Sequence, residues 1–106
     1  MEDPVVVLCT CANREEAARI ARALVEQRLA ACVQALGPME STYWWKGKLE
    51  TSAEVLLLIK SFHGQFSELC NRIQMLHSYE VPEIVALPAT AVSEKYLAWM
   101  RSEIIA

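Results

Sequence analysis

Two side chains in this sequence carry soft donor atoms in places where they could meet. Cys9 closes the apolar run Val5-Val6-Val7-Leu8-Cys9, and His77 ends a helical stretch much further along. A thiolate and an imidazole suit copper or zinc, and Glu83 or Tyr79 could add an oxygen donor. A metal set of Cys9, His77 and Glu83 is therefore the sharpest reading of local chemistry. Two soft ligands fall short of a closed tetrahedral set, so a symmetry axis or a subunit interface would have to supply more. Each residue also has a plainer role. Cys9 can serve as a small apolar strand residue, and His77 as a cation on the C-terminal dipole of its helix.

A second group is Lys60, Glu54, Tyr79, Glu83 and Trp99, which fall at strand and helix ends where a cleft could form. A buried Lys–Glu pair there could bind an anion or tune a base, or be purely structural. Cys32 and Cys70 read as core, while Cys11, near a strand end and just before a helix, reads as the exposed thiol. There is no HExxH, no GxSxG and no phosphate-binding loop, so nothing in these residues writes an enzyme.

The elements that must position these groups can be read in order. Val5–Cys9 is a short apolar strand. Asn13 with Glu16 at the third helical position resembles a capping box, and Ala17, Ile20, Ala21 and Leu24 form the inner face of the helix that follows. Ala31–Trp45 and Leu49–Lys60 read as two arms of a β-hairpin turning at Lys46-Gly47-Lys48. The run Val55–Ile59 in the second arm predicts a strand buried on both faces. After a loop from Ser61 to Gly64, a second helix presents Phe66, Leu69, Cys70, Ile73, Leu76 and His77. Glu83–Leu87 is a strand closed by Pro88, and Ser93 caps a last helix with Tyr96, Trp99, Met100 and Ile104 facing inward. The order β-α-β-β-α-β plus a helix predicts an α+β, ferredoxin-like antiparallel sheet with both long helices on one face.

The first arm of the hairpin is too long for the body that carries it. Fifteen residues at roughly 3.3 Å each span about 50 Å, against a diameter in the mid-30s of Å for a compact chain of this size. Gly37-Pro38 must bend the arm, and the tip with Tyr43, Trp44 and Trp45 should still overhang. An overhanging aromatic ribbon with free edges calls for a partner, most simply copies of the same chain.

Composition agrees. At 106 residues the chain is expected to be one domain over 1–106. Its apolar content of 54% exceeds the ~45–50% of ordinary domains, which favours a buried subunit interface. Net charge is −3 and pI about 5.4, with Lys and Arg scattered, which argues against nucleic acid. No apolar run approaches the ~18 residues of a membrane span. The acidic start Met-Glu-Asp-Pro leads directly into a strand and shows no signal peptide. Four cysteines without CxxC spacing read as reduced thiols in a cytoplasmic protein.

The segments CVQALGPMESTYWWKGKLE, then Glu54 and Ile59-Lys60, then LHSYEVPEIVALP and YLAWM occur in an order that resembles the CutA family, the divalent-cation tolerance proteins. The likeness runs from about Val5 to Glu103. It implies a ferredoxin-like protomer in a tight homotrimer, similar in architecture to the PII signalling proteins, with sheet edges joined through the long hairpin. It also implies a link to copper and other divalent metals, with copper held by a first-strand Cys and a His pair. That carries over to Cys9 and His77, and Leu76 stands where the other His of the pair would be. Two functions follow as expectations. One is a homotrimeric metal-binding tolerance protein. The other is a PII-like trimer that takes a small anionic ligand between subunits, using Lys60, Glu54, Tyr79, Glu83 and Trp99.

Overall fold

The computed structural model describes residues 3–104. Met1, Glu2, Ile105 and Ala106, and with them part of the acidic N-terminus and the two ends of the expected 1–106 domain, lie outside the described residues. The chain forms β1 (Pro4–Cys11), α1 (Arg14–Glu26), β2 (Cys32–Trp45), β3 (Lys48–Phe62), α2 (Phe66–Leu76), β4 (Val85–Pro88) and α3 (Glu94–Glu103), with a 3₁₀ turn at His63–Gln65 before α2. The strands make one antiparallel sheet in the order β2-β3-β1-β4. This is the α+β, ferredoxin-like arrangement read from the sequence, with its long hairpin and C-terminal helix.

Strand alternation sorts β1 into two faces. Val5, Val7, Cys9 and Cys11 point to the helices and are buried with Ala17, Ile20 and Leu24 of α1, Leu69 and Ile73 of α2, and Val55, Leu57 and Ile59 of β3. The Asn13 side chain accepts the Glu16 amide at 2.8 Å and starts α1. α1 ends where Arg28 takes a φ of 63°, which turns the Leu29 amide back onto the Leu24 carbonyl at 3.0 Å.

The other face is largely uncovered. β3 is buried on one side only, because both long helices pack there. Val55, Leu57 and Ile59 are buried, whereas Leu56 and Leu58 stay partly exposed, which corrects the expectation of burial on both faces. Leu56 pairs with Leu36, while Leu8 and Val6 pair with Val85 and Leu87, so these side chains share one front face. Leu36, Val85 and Leu87 are exposed on it. α3 covers only the end near Phe62, where Met100 and Ile104 meet Ala31 and Phe62. Leu97 and Tyr96 support that contact, while Trp99, expected on the inner face, is exposed.

The arms pair from Cys32↔Lys60 to Trp45↔Lys48, with one register shift between Leu36 and Met39. Gly37-Pro38 falls in that shift, and Gly37 has a φ of 154°. A Cβ at Gly37 would come within 3.0 Å of the Glu54 carbonyl and 3.2 Å of the Val55 Cα, so the bulge brings the two backbones together where only glycine fits. The reversal is a two-residue turn, Lys46-Gly47, both at positive φ, one residue tighter than expected. β1 stops pairing with β3 at Cys11↔Val55. Beyond that point the hairpin has no further strand beside it, and the molecule measures 44 × 25 × 22 Å.

The end of β3 and the start of β4 also differ from the sequence reading. β3 continues through Ser61 and Phe62, because Ser61 Oγ donates to the Leu29 carbonyl at 2.7 Å and Phe62 seats α3. β4 begins at Val85 and not at Glu83.

Candidate metal centre

β1 stays extended to Cys11, two residues past the strand end read from the sequence, and that places two thiols on one face. Cys9 and Cys11 are both 0% exposed, so Cys11 is not the exposed thiol it was expected to be. His77 is the C-cap of α2, its amide donating to the Ile73 carbonyl at 2.8 Å. There the backbone leaves the helix in an extended conformation and the imidazole turns inward beneath β1 with its side chain 0% exposed. The ring therefore does not project into solvent at the helix end. Cys9 Sγ, Cys11 Sγ and a ring nitrogen of His77 lie within 4.8 Å of one another.

The ring is held by three neighbours. The Tyr79 amide donates to Nδ1 at 3.0 Å, which leaves Nε2 to carry the hydrogen it gives to the Thr10 carbonyl at 2.7 Å. Cys9 Sγ lies 4.0 Å from the same carbonyl. Behind the ring, Glu16 is only 3% exposed. Its Oε1 accepts from the Ala12 amide at 2.9 Å and its Oε2 from the Ser78 amide at 2.6 Å, with His77 Nδ1 3.9 Å from Oε2. Burial alone would raise the Glu16 pKa, but the Ala12 and Ser78 hydrogen bonds and the nearby His77 outweigh it and hold the carboxyl below 4.5.

The two thiols polarise each other. The Cys9 thiol is pushed far above its usual range, first by its hydrogen bond with Cys11, then by burial and by the charges of Cys11, Glu83 and Glu16. The Cys11 thiol is lowered, chiefly because Cys9 donates to it, with Arg19 assisting against the opposing pull of burial and of Glu16 and Glu54. Cys32 and Cys70, expected in the core, are only half-buried.

The remaining site residues divide between the two ends of the sheet. On the front face a groove of about 710 Å³ runs between the overhanging hairpin and the segment after α2, with Glu54, Tyr79, Glu80, Glu83, Tyr43 and Trp45 among its walls. Glu83 thus lies in this groove, across the strand from the thiols. Tyr79 Oη donates to Glu54 Oε2 at 2.6 Å, and burial, then the Glu54 contact, raises the phenol. Lys60 sits six residues further along β3, about 20 Å away, and donates to Gln34 Oε1 at 2.8 Å. Within one chain, then, Lys60 forms no pair with Glu54. Trp99 is on α3, its ring 5.4 Å from Tyr96. Glu54, Tyr79 and Glu83 come together, while Lys60 and Trp99 do not join them.

Two residues of the cluster escaped the sequence reading. Cys11 could have been found from the period-two series Val5, Val7, Cys9, Cys11, had the strand been extended. Glu16 was read only as a helix-capping acid, and nothing local announces its reach to Ser78.

A family model described as CutA1 divalent ion tolerance protein matches residues 5–103. The chain belongs to that family. It is 47% identical over 96 residues to the divalent-cation tolerance protein CutA of Thermus thermophilus, covering 91% of this chain and 93% of that one. The solved CutA1 structure from the same organism superposes with a TM-score of 0.92 at 45% identity, over 94% of this chain and 97% of the other. A CutA structure from Archaeoglobus fulgidus, described as periplasmic, gives a TM-score of 0.94 at 33% identity, over 96% and 99% of the two chains. The chloroplastic CutA 1 of rice is 40% identical over 98 residues, covering 92% of this chain. This chain spans 55% of the rice protein and 54% of its Arabidopsis counterpart. CutA1 relatives thus carry labels for more than one compartment. Among the described residues no helix is long and apolar enough to cross a membrane.

Proposed function

We propose that the chain acts as a divalent-cation tolerance protein that binds copper, in a homotrimer, and is a binding protein rather than an enzyme. The observation that carries this reading is the convergence of Cys9 and His77 behind β1, with donor atoms within 4.8 Å of one another and of Cys11. A thiol and an imidazole, both screened from water, match the softness of copper. Glu83, read from the sequence as an oxygen donor, lines the front groove, and only its charge reaches Cys9. The trimer is supported by the uncovered front face, by the unpaired outer edge of β2, and by the overhanging tip, whose Tyr43, Trp44 and Trp45 are assigned to the subunit interface. Four free thiols among the described residues suit a cytoplasmic setting.

The anion-binding alternative loses ground at the groove. Its walls include Glu54, Glu80 and Glu83 and no Lys or Arg, so an anionic ligand would meet repulsion there. Titration of the intact protein with copper by calorimetry should give sub-micromolar binding. Cys9→Ser and His77→Ala should each weaken it at least about tenfold. Unchanged binding in both variants removes this site.

A further inference from the structure

We propose that Cys11 joins Cys9 and His77 as a third ligand, and that the three together hold one cuprous ion in a trigonal site of two sulfurs and one nitrogen. This deepens the copper-binding reading above and rests on it, but it names a ligand and an oxidation state that the reading does not require.

The argument begins with reach. Two donor atoms on one thiolate-bound ion, each about 2.3 Å from it, lie about 4 Å apart. The three donors already fall within 4.8 Å, so small side-chain rotations close the set without moving the strand. Coordination number comes next. Among the described residues no fourth His, Cys, Asp or Glu joins the cluster. Zinc seeks four ligands and would be left incomplete, whereas a cuprous ion is satisfied by two or three soft donors. Burial points the same way, since both thiols are 0% exposed and a strongly hydrated hard cation would have to shed its water to enter.

A disulfide is the competing fate of two adjacent thiols, and the strand opposes it. Alternate residues of an extended strand have Cα atoms about 6.6–6.8 Å apart, at the upper limit of the ~4.4–6.8 Å that a disulfide spans. The extended backbone thus keeps both sulfurs free for an ion.

Binding changes no oxidation state. Two thiol protons leave to solvent, two sulfur–copper bonds form, and the assembly carries one net negative charge. The Arg19 guanidinium, whose charge reaches Cys11, offsets part of it. For Nε2 of His77 to become the third donor, it must give up its hydrogen bond to Thr10. The ring proton then moves to Nδ1, which must part from the Tyr79 amide now donating to it and turn to Glu16 Oε2, 3.9 Å away. Glu16 is therefore a positioning residue for the ligand ring.

The test is anaerobic competition for cuprous ion against a chromophoric chelator, bathocuproine disulfonate, with copper K-edge absorption on the loaded wild-type protein. One ion per chain is expected, with two sulfurs and one nitrogen in the first shell. Cys11→Ser should weaken cuprous binding by about a hundredfold or more, beyond the ~10–100-fold typical of outer partners, and Cys11→Ala should do the same. Cuprous affinity should exceed zinc affinity in the wild type and lose that margin in both variants. Parent-like cuprous binding in the Cys11 variants, with losses in Cys9→Ser and His77→Ala, overturns this proposal and leaves the broader copper reading standing. Losses in none of the four overturn both. If the Cys11 variants do not fold, a single sulfur in the wild-type absorption spectrum overturns it alone.

Discussion

Glu16 ties the start of α1 to the segment after α2 through the Ala12 and Ser78 amides, and so fixes how far the His77 ring can swing. Replacing it by Gln keeps the volume but removes the charge and leaves a donor facing a donor. Glu16→Gln should cost about 1–3 kcal/mol of stability, read as a lower melting temperature at neutral pH. The folded carboxyl lies below its ordinary value of 4.5. Its stabilisation is therefore fully present above that pH and lost as pH falls through the folded value. Wild-type melting temperature should decline in that acid window, and the Gln variant should follow a flatter curve. Parallel curves would mean the carboxylate contributes nothing specific. Cys9 and His77 were legible in the sequence because their chemistry belongs to the residue type. Glu16 was not, because its role depends on which loop folds over it.

Among the elements, the hairpin depends on the bulge at Gly37. Alanine at Gly37 meets the Glu54 carbonyl at 3.0 Å and also suffers the strain of a φ of 154°, at a combined cost of about 1–3 kcal/mol. Gly47 has a φ of 81° but nothing within 4 Å of a new Cβ. Thermal melts at one protein concentration should therefore show a larger loss for Gly37→Ala than for Gly47→Ala, and equal losses would remove the close-approach argument. The element types were readable because Ala17, Ile20 and Leu24 recur at helical spacing and β1 alternates. The faces were less so. Val55–Ile59 is apolar throughout, and a sequence does not say whether Leu56 and Leu58 are covered by the chain's own helices or by something else. Strand ends shifted for the same reason, since Ser61 and Phe62 are held by Leu29 and α3, which are distant in sequence.

For the whole molecule, the question is what covers the front of the sheet. Leu36 is 56% exposed and Trp44 72% exposed in the single chain, and the hairpin beyond Cys11↔Val55 has no flanking strand. Light scattering should give three times the 11.9 kDa chain mass. Leu36→Asp discriminates sharply. On a lone chain it would change stability by no more than about 0.5 kcal/mol, but in a desolvated contact between copies it should dissociate the assembly and lower the melting point. A variant of unchanged mass and melting point would leave the front face without a partner. The overhang itself was legible from chain length alone, because fifteen extended residues outrun a body this small.

One sheet keeps Cys9, Cys11 and His77 at the back and its exposed apolar side chains at the front. If an ion is held at the back and copies meet at the front, as proposed, the ion can enter and leave while the complex stays whole, and its dwell time does not depend on how dilute the protein becomes.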